Sequence, residues 1–156
     1  MKYVVVLSLS YSLFGCASGK LDMFDTQGQK IGECTAGYKW HLIGAEASRD
    51  WLLNYCVETA KSEGDFVFRV SDQSILEKDY SYPSHPSGLK WTRKLAWDAY
   101  WSDLISEREY GYIVAELENV FFLRSLELEN ELQSGEISRQ QYTNLMKKAE
   151  SAFHGK

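Results

Sequence analysis

Ser48-Arg49-Asp50-Trp51-Leu52-Leu53-Asn54-Tyr55-Cys56-Val57-Glu58-Thr59-Ala60 is the stretch from which the fold class follows. Leu52, Tyr55, Cys56, Thr59 and Ala60 recur at intervals of three and four, the spacing of one buried face on an amphipathic helix. Ser48 offers a side-chain oxygen suited to an N-cap, and Asp50 puts a carboxylate in the first turn, where the helix dipole favours it. Gly64 follows the last turn as a residue free to close the helix in the left-handed conformation. This spacing turns Cys56 inward.

The sequence on both sides of this helix reads as strand. Residues 21–24 form a first strand, Asp25-Thr26-Gln27-Gly28 a turn, and residues 29–34 a partner strand with Ile31 inward. Thr35-Ala36-Gly37 interrupts it. Tyr38, Trp40 and Leu42 then alternate with Lys39 and His41, the period of two of a half-buried strand. After the helix, residues 66–70 are apolar and β-rich, a returning strand. Residues 16–76 thus read as a small α+β module. Residues 77–90 contain both prolines, Pro83 and Pro86, with Gly88 beside them, and read as a linker.

The remainder, residues 91–156, reads as helical. Trp91, Leu95, Trp97, Tyr100, Trp101 and Leu104 mark an aromatic-heavy helix. A second helix spans about residues 108–133, with Ile113, Leu117, Val120, Phe121, Leu128 and Leu132 inward. Gly111 near its start weakens it by about 1 kcal/mol of helix propensity. Ser134-Gly135-Glu136-Ile137 is a tight turn. Ser138, with Gln141 three residues on, makes a capping box for a third helix, Ile137 and Tyr142 fit a hydrophobic staple, and Leu145, Met146, Ala149 and Phe153 continue the stripe. The piece from Leu128 to Ser138, followed by Tyr142, resembles the bacterial short C-terminal domain, a helical hairpin at the ends of many unrelated bacterial proteins. That resemblance implies a partner or oligomer contact.

The N-terminus carries an address. Lys2 supplies a positive start, residues 3–13 an apolar run, and Leu13-Phe14-Gly15-Cys16 the junction. A secretory signal needs a positive charge, an apolar stretch of about 7–15 residues and small residues at the cut. The run is shorter than the roughly 20 residues of a spanning helix. The junction resembles the lipobox of bacterial lipoproteins, although Phe14 is bulkier than that pattern favours. The resemblance implies removal of residues 1–15, palmitate-type acylation at Cys16 and attachment to a membrane. With Ala17 rather than Asp after the cysteine, it also implies sorting to the inner leaflet of the cell outer membrane, facing the periplasm. Residues 17–20 then read as a short polar tether.

Cysteine arithmetic agrees. The chain has three cysteines, Cys16, Cys34 and Cys56. Assigning Cys16 to the lipid leaves a pair, and an exported protein sits where that pair closes as a disulfide. The bridge would pin the helix to the sheet and, across its loop, stabilise by about 3 kcal/mol. The alternative is two free buried thiols in a cytosolic protein. No Cys-x-x-Cys occurs, so thioredoxin-type chemistry and ribbon-type zinc sites lack support. The expected architecture is α+β: a small antiparallel sheet, one disulfide-pinned helix, and a C-terminal part of about three helices.

Charge excludes further classes. The 156 residues carry 17 basic and 22 acidic side chains, a net charge of −5. A mildly acidic chain with no basic run has neither the footprint of a nucleic-acid binder nor the polybasic patch that anionic lipids attract.

Chemistry-bearing residues are scattered. His41 lies in a strand, His85 in the proline loop and His154 in the tail, with no spacing that gathers metal ligands. No Gly-x-Ser-x-Gly or phosphate-cradling glycine loop is present, and no cofactor is indicated. Glu33 reads as a solvent-facing strand residue. His85, in Tyr-Pro-Ser-His-Pro, is the histidine best placed to touch a partner. Trp97 and Trp101 share one helical face, and so many rings cannot all be interior in so small a body. One or two are expected at a contact surface. The sequence therefore points to a non-enzymatic binding or scaffolding accessory that engages another envelope protein through Trp97, Trp101 and His85. The alternatives are an envelope enzyme acting on cell-wall or carbohydrate material, and a small-ligand carrier.

Overall fold

The computed structural model describes residues 17–38, 43–63 and 69–156. Strand β1 (Ala17–Phe24) pairs antiparallel with β2 (Lys30–Tyr38) on one side and with the short β3 (Arg69–Val70) on the other, giving the order β2-β1-β3. Helix α1 (Ala45–Glu63) lies on this sheet; α2 (Arg93–Trp101), α3 (Glu107–Ser134) and α4 (Arg139–His154) follow. The fold is α+β, as the sequence predicts.

The turn between β1 and β2 forms at Asp25–Gly28. Asp25 Oδ1 accepts the backbone N–H groups of Gln27 (2.9 Å) and Gln29 (2.8 Å), and Gly28 takes φ +82°. The strands depart from expectation in three ways. Residues 17–20 are not a tether: Ala17 pairs with Tyr38 and Lys20 with Thr35. Thr35-Ala36-Gly37 does not break β2, because β1 supplies partners through that region. Ile31 faces out, 49 % exposed, while Cys34 and Tyr38 face in. Strand side chains alternate, so the face that takes Cys34 and Tyr38 must give Ile31 to solvent. Trp40, His41, Leu42, Gly64 and the predicted strand residues 66–68 lie outside the described residues.

Helix α1 packs on the sheet through Leu53 and Val57, both fully buried, where Leu21, Cys34, Val70 and Ile75 meet them. The predicted inward face is off by part of a turn: Tyr55 is exposed and stacks on Trp51 at 5.3 Å. The Cys34–Cys56 disulfide is present, with Cα atoms 6.0 Å apart, and ties β2 to α1. Closing that loop contributes about 3 kcal/mol in the chain-entropy account.

Helix α3 is the spine, 28 residues and about 42 Å long. Its N-terminus carries a capping box of Ser106 and Glu109; its C-terminus ends at Gly135 in the left-handed conformation. Helix α4 opens with the predicted capping box of Ser138 and Gln141 and packs back along α3. At its end Phe153 stacks on Phe121 at 5.3 Å, and Arg93 of α2 sits over the Phe153 ring. Val120 does not face in as predicted; it is exposed, because Phe121 and the buried Leu128 carry the side of α3 that faces α4.

The first turn of α1 crosses α3 at a contact between glycines. A Cβ on Gly111 would stand 2.5 Å from the Gly44 carbonyl oxygen, and one on Gly44 would stand 2.9 Å from Gly111 Cα. Ser48 is not the N-cap, since α1 begins at Ala45; it is buried in this crossing, and its Oγ donates to the Gly111 carbonyl at 2.7 Å. The Gly44 N–H donates to Glu107 Oε1 at 2.9 Å. Gly111 is therefore a close-approach residue rather than a weak point of the helix.

Residues 79–92 carry no strand or helix but are strapped to the body. The Tyr80 hydroxyl donates to the Ile75 carbonyl at 2.7 Å, its ring lies 5.1 Å from that of Tyr112, and the Tyr82 hydroxyl donates to Glu116 at 2.8 Å. Burial raises the phenol pKa of Tyr38, Tyr80, Tyr82, Tyr110 and Tyr112 above its ordinary value, with Glu116 adding to the effect at Tyr82.

Two outcomes follow. Helix propensity alone makes Gly111→Ala stabilising by about 1 kcal/mol. The crossing reverses that sign, and overpacking against the Gly44 carbonyl costs about 1–3 kcal/mol net in a denaturant titration. Gly37→Ala, with nothing within 4 Å of the added carbon, leaves the midpoint nearly unchanged. For the tyrosines, a folded-state pKa above the unfolded one means that their contribution to stability is full below about pH 10 and is lost as pH rises beyond it. Tyrosinate absorbance of those five rings is expected to appear together with the loss of near-ultraviolet circular dichroism. Independent titration of these five rings near the ordinary tyrosine pKa would contradict this.

Candidate functional site

Helix α2 is placed by its small residues. Thr92 caps it by accepting the Leu95 N–H, and Ala96 and Ala99 are buried against Ile113, Val114, Tyr110 and Ile105. Two alanines on the inner face bring the helix close to α3, so the large rings on its other positions stand outside. Trp97 is 44 % exposed, Trp101 61 % and Leu104 58 %. Trp97 and Trp101, four residues apart, meet edge to face at 5.5 Å. Tyr100 contacts Trp101 at 5.4 Å, and the buried Tyr110 backs both Trp97 (6.1 Å) and Tyr100 (5.4 Å). The result is a rigid apolar patch with ring faces and edges open to solvent. Rings held this way keep little rotamer entropy to lose on binding, which suits a contact anchor.

His85 is held by contacts of the proline loop. Its ring meets Trp91 edge to face at 4.8 Å, and its Nδ1 lies 2.7 Å from Ser87 Oγ and accepts the Ser87 N–H at 3.2 Å. The Trp91 Nε1–H donates to the Pro83 carbonyl at 2.9 Å. His85 and Trp91 thus brace the proline loop. Among the described residues no ring contact joins His85 to Trp97 or Trp101; His85 meets Trp91, which packs on the same core cluster as Tyr100. His154 is exposed at the end of α4, against the Phe153 ring. His41 and Cys16 lie outside the described residues.

A cleft of about 920 Å³ opens between the N-terminal ends of α1 and α3, lined by Ala17, Ser18, Asp50, Lys78, Glu107 and Arg108 among others. Asp50 is its buried charge. Oδ1 accepts from Arg49 Nε (2.8 Å) and Nη2 (2.6 Å), and Oδ2 accepts from Lys78 Nζ (2.6 Å). Both oxygens are engaged by cations, which makes Asp50 a clasp between α1 and the 77–90 segment rather than a free base. The sequence reading placed Asp50 at the helix dipole and missed this clasp, since its partner Lys78 lies 28 positions away. Among the described residues no group of three His, Cys, Asp or Glu side chains could hold a metal ion.

Glu33 faces solvent on the hairpin, as read from the sequence. Hydrogen bonds from Lys30 and Lys20 hold its carboxyl below the usual range, and Lys30 does the same for Asp22 across the strand pair. This is a solvated ion-pair network on an exposed sheet face. No helix among the described residues is long and apolar enough to cross a membrane. No protein-family profile, no curated protein and no solved structure matches the chain.

Proposed function

We propose that this chain is an exported lipoprotein, held at the envelope through Cys16, that serves as a binding or scaffolding accessory to another envelope component. The observation that carries the binding role is the Trp97–Trp101 pair, exposed together on a bed of buried Ala96, Ala99 and Tyr110. Exposed aromatic anchors on a rigid, well-packed support are the kind of residue that dominates protein contacts. The Cys34–Cys56 bridge supports an oxidising compartment, and with it the assignment of the third cysteine to a lipid. In the cleft, the buried carboxylate is already saturated by Arg49 and Lys78, which favours a binder over a hydrolase acting there.

The partner arm is the testable one. A photo-reactive residue in place of Leu104, beside the patch, is expected to capture one discrete protein in intact cells. Trp97→Ala and Trp101→Ala each abolish that capture while leaving the thermal midpoint within about 2 °C, since exposed truncations cost little stability. Capture that is unchanged in both variants would remove the patch from the function.

A further inference from the structure

Strand β2 stands at the rim of the sheet, paired on one side only. In an antiparallel ladder each residue turns its N–H and C=O to one side, and the next residue turns them to the other. Asp22 of β1 turns its groups to β3: its carbonyl accepts the Ser71 N–H at 2.9 Å, and its N–H donates to Ser71 Oγ at 3.0 Å. Glu33, opposite Asp22, therefore turns its own groups away from β1, and Thr35 and Gly37 follow by alternation. All three residues are exposed, and none of these backbone groups finds a partner among the described residues.

Such an edge is a template for another strand, and proteins that keep it single place prolines, unpaired charges or bulges along it. β2 has no proline, and its irregularity lies at its start, beside Met23 and Phe24. Its charges neutralise one another: Lys20 and Lys30 pair with Asp22 and Glu33 on the exposed face. A strand that approaches this edge meets no net charge.

We infer that the edge takes β2 of a second copy of this chain, antiparallel about a two-fold axis at Cys34, so that the two sheets become one. That register sets Glu33 opposite Thr35 of the second copy. The two residues exchange N–H···O=C bonds, and the threonine hydroxyl donates to the carboxylate. It also sets Ile31 opposite Gly37 of the second copy. Ile31 is 49 % exposed in the single chain, and nothing lies within 4 Å of a Cβ built on Gly37. The large apolar side chain covers the bare glycine of its neighbour, a cross-strand pair that shields both from water. Moving the axis to Glu33 would oppose two glutamates, and moving it to Thr35 would take Ile31 off Gly37.

The test uses the full chain in intact cells. A photo-crosslinking phenylalanine analogue in place of Ile31 is expected to give a dimer adduct, joined at Gly37 of the second copy. Thr35→Pro removes an N–H that bonds only across the axis, at an edge position where proline is tolerated, and is expected to lose the adduct. Gly37→Asp, whose side chain has open space in the single chain, is expected to lose it too, by putting a carboxylate where Ile31 would rest. An intact Cys34–Cys56 bridge, read by mass without reduction, separates a folded single chain from a misfolded one. Should Thr35→Pro lose that bridge, Gly37→Asp decides. No adduct at 31, an adduct with a different protein, or a dimer adduct joined outside β2 overturns the pairing. An adduct that persists in either folded variant does the same.

Discussion

Gly44 and Gly111 meet with no side chain between them, and the placement of every other element follows from how closely α1 and α3 approach there. A carbonyl of one backbone occupies the space a Cβ of the other would need. The Ser48 hydroxyl, buried and directed at the Gly111 carbonyl, and the Gly44 N–H, directed at Glu107, add polar fastenings to the crossing. Such a bond carries weight because breaking it leaves a buried acceptor short of a partner. The sheet then has no freedom of its own: the disulfide fixes β2 to α1, and α1 is fixed to α3. Helix α2 reaches the other side of the spine through Ala96 and Ala99, and α4 closes the C-terminal half through Phe121 and Phe153.

This arrangement gives the spine two unlike flanks. One carries Ala17, the start of β1, and continues into exposed Phe122 and Leu126. The other carries α2 and its solvent-facing rings. The mixed charges of the cleft serve cohesion, since Asp50 binds Arg49 and Lys78 across two segments.

What could be read from the sequence was local. The turn at Asp25–Gly28 and the box at Ser138 and Gln141 depend on residues within four positions of each other, and both formed as expected. The α+β class and the Cys34–Cys56 bridge followed from periodicity and from counting sulfurs. The errors share a cause in contacts made over long sequence distances. Ser48 has the chemistry of a cap, but its partner is Gly111, 63 positions on. Gly111 looks like a flaw in a helix until the second backbone that crosses it is known. Residues 17–20 look like a tether until β2 is seen to extend far enough to pair with them. Tyr55 fits the three-and-four spacing of an inner face, but Leu53 and Val57 take the buried side of α1, and Cys34 and Tyr38 set the register that turns Ile31 out. The aromatic patch was legible as a surplus of rings on a short helix. The bracing of His85 against Trp91 was not, because the proline loop folds back on that ring.

The proposed anchoring depends on the state of the three sulfurs. Intact-mass analysis of the protein taken from native membranes, without reduction, measures that state directly. The account predicts a chain beginning at Cys16 that carries an acylated glyceryl group and has no free thiol at Cys34 or Cys56. A product that retains Met1 with three unmodified cysteines would contradict it.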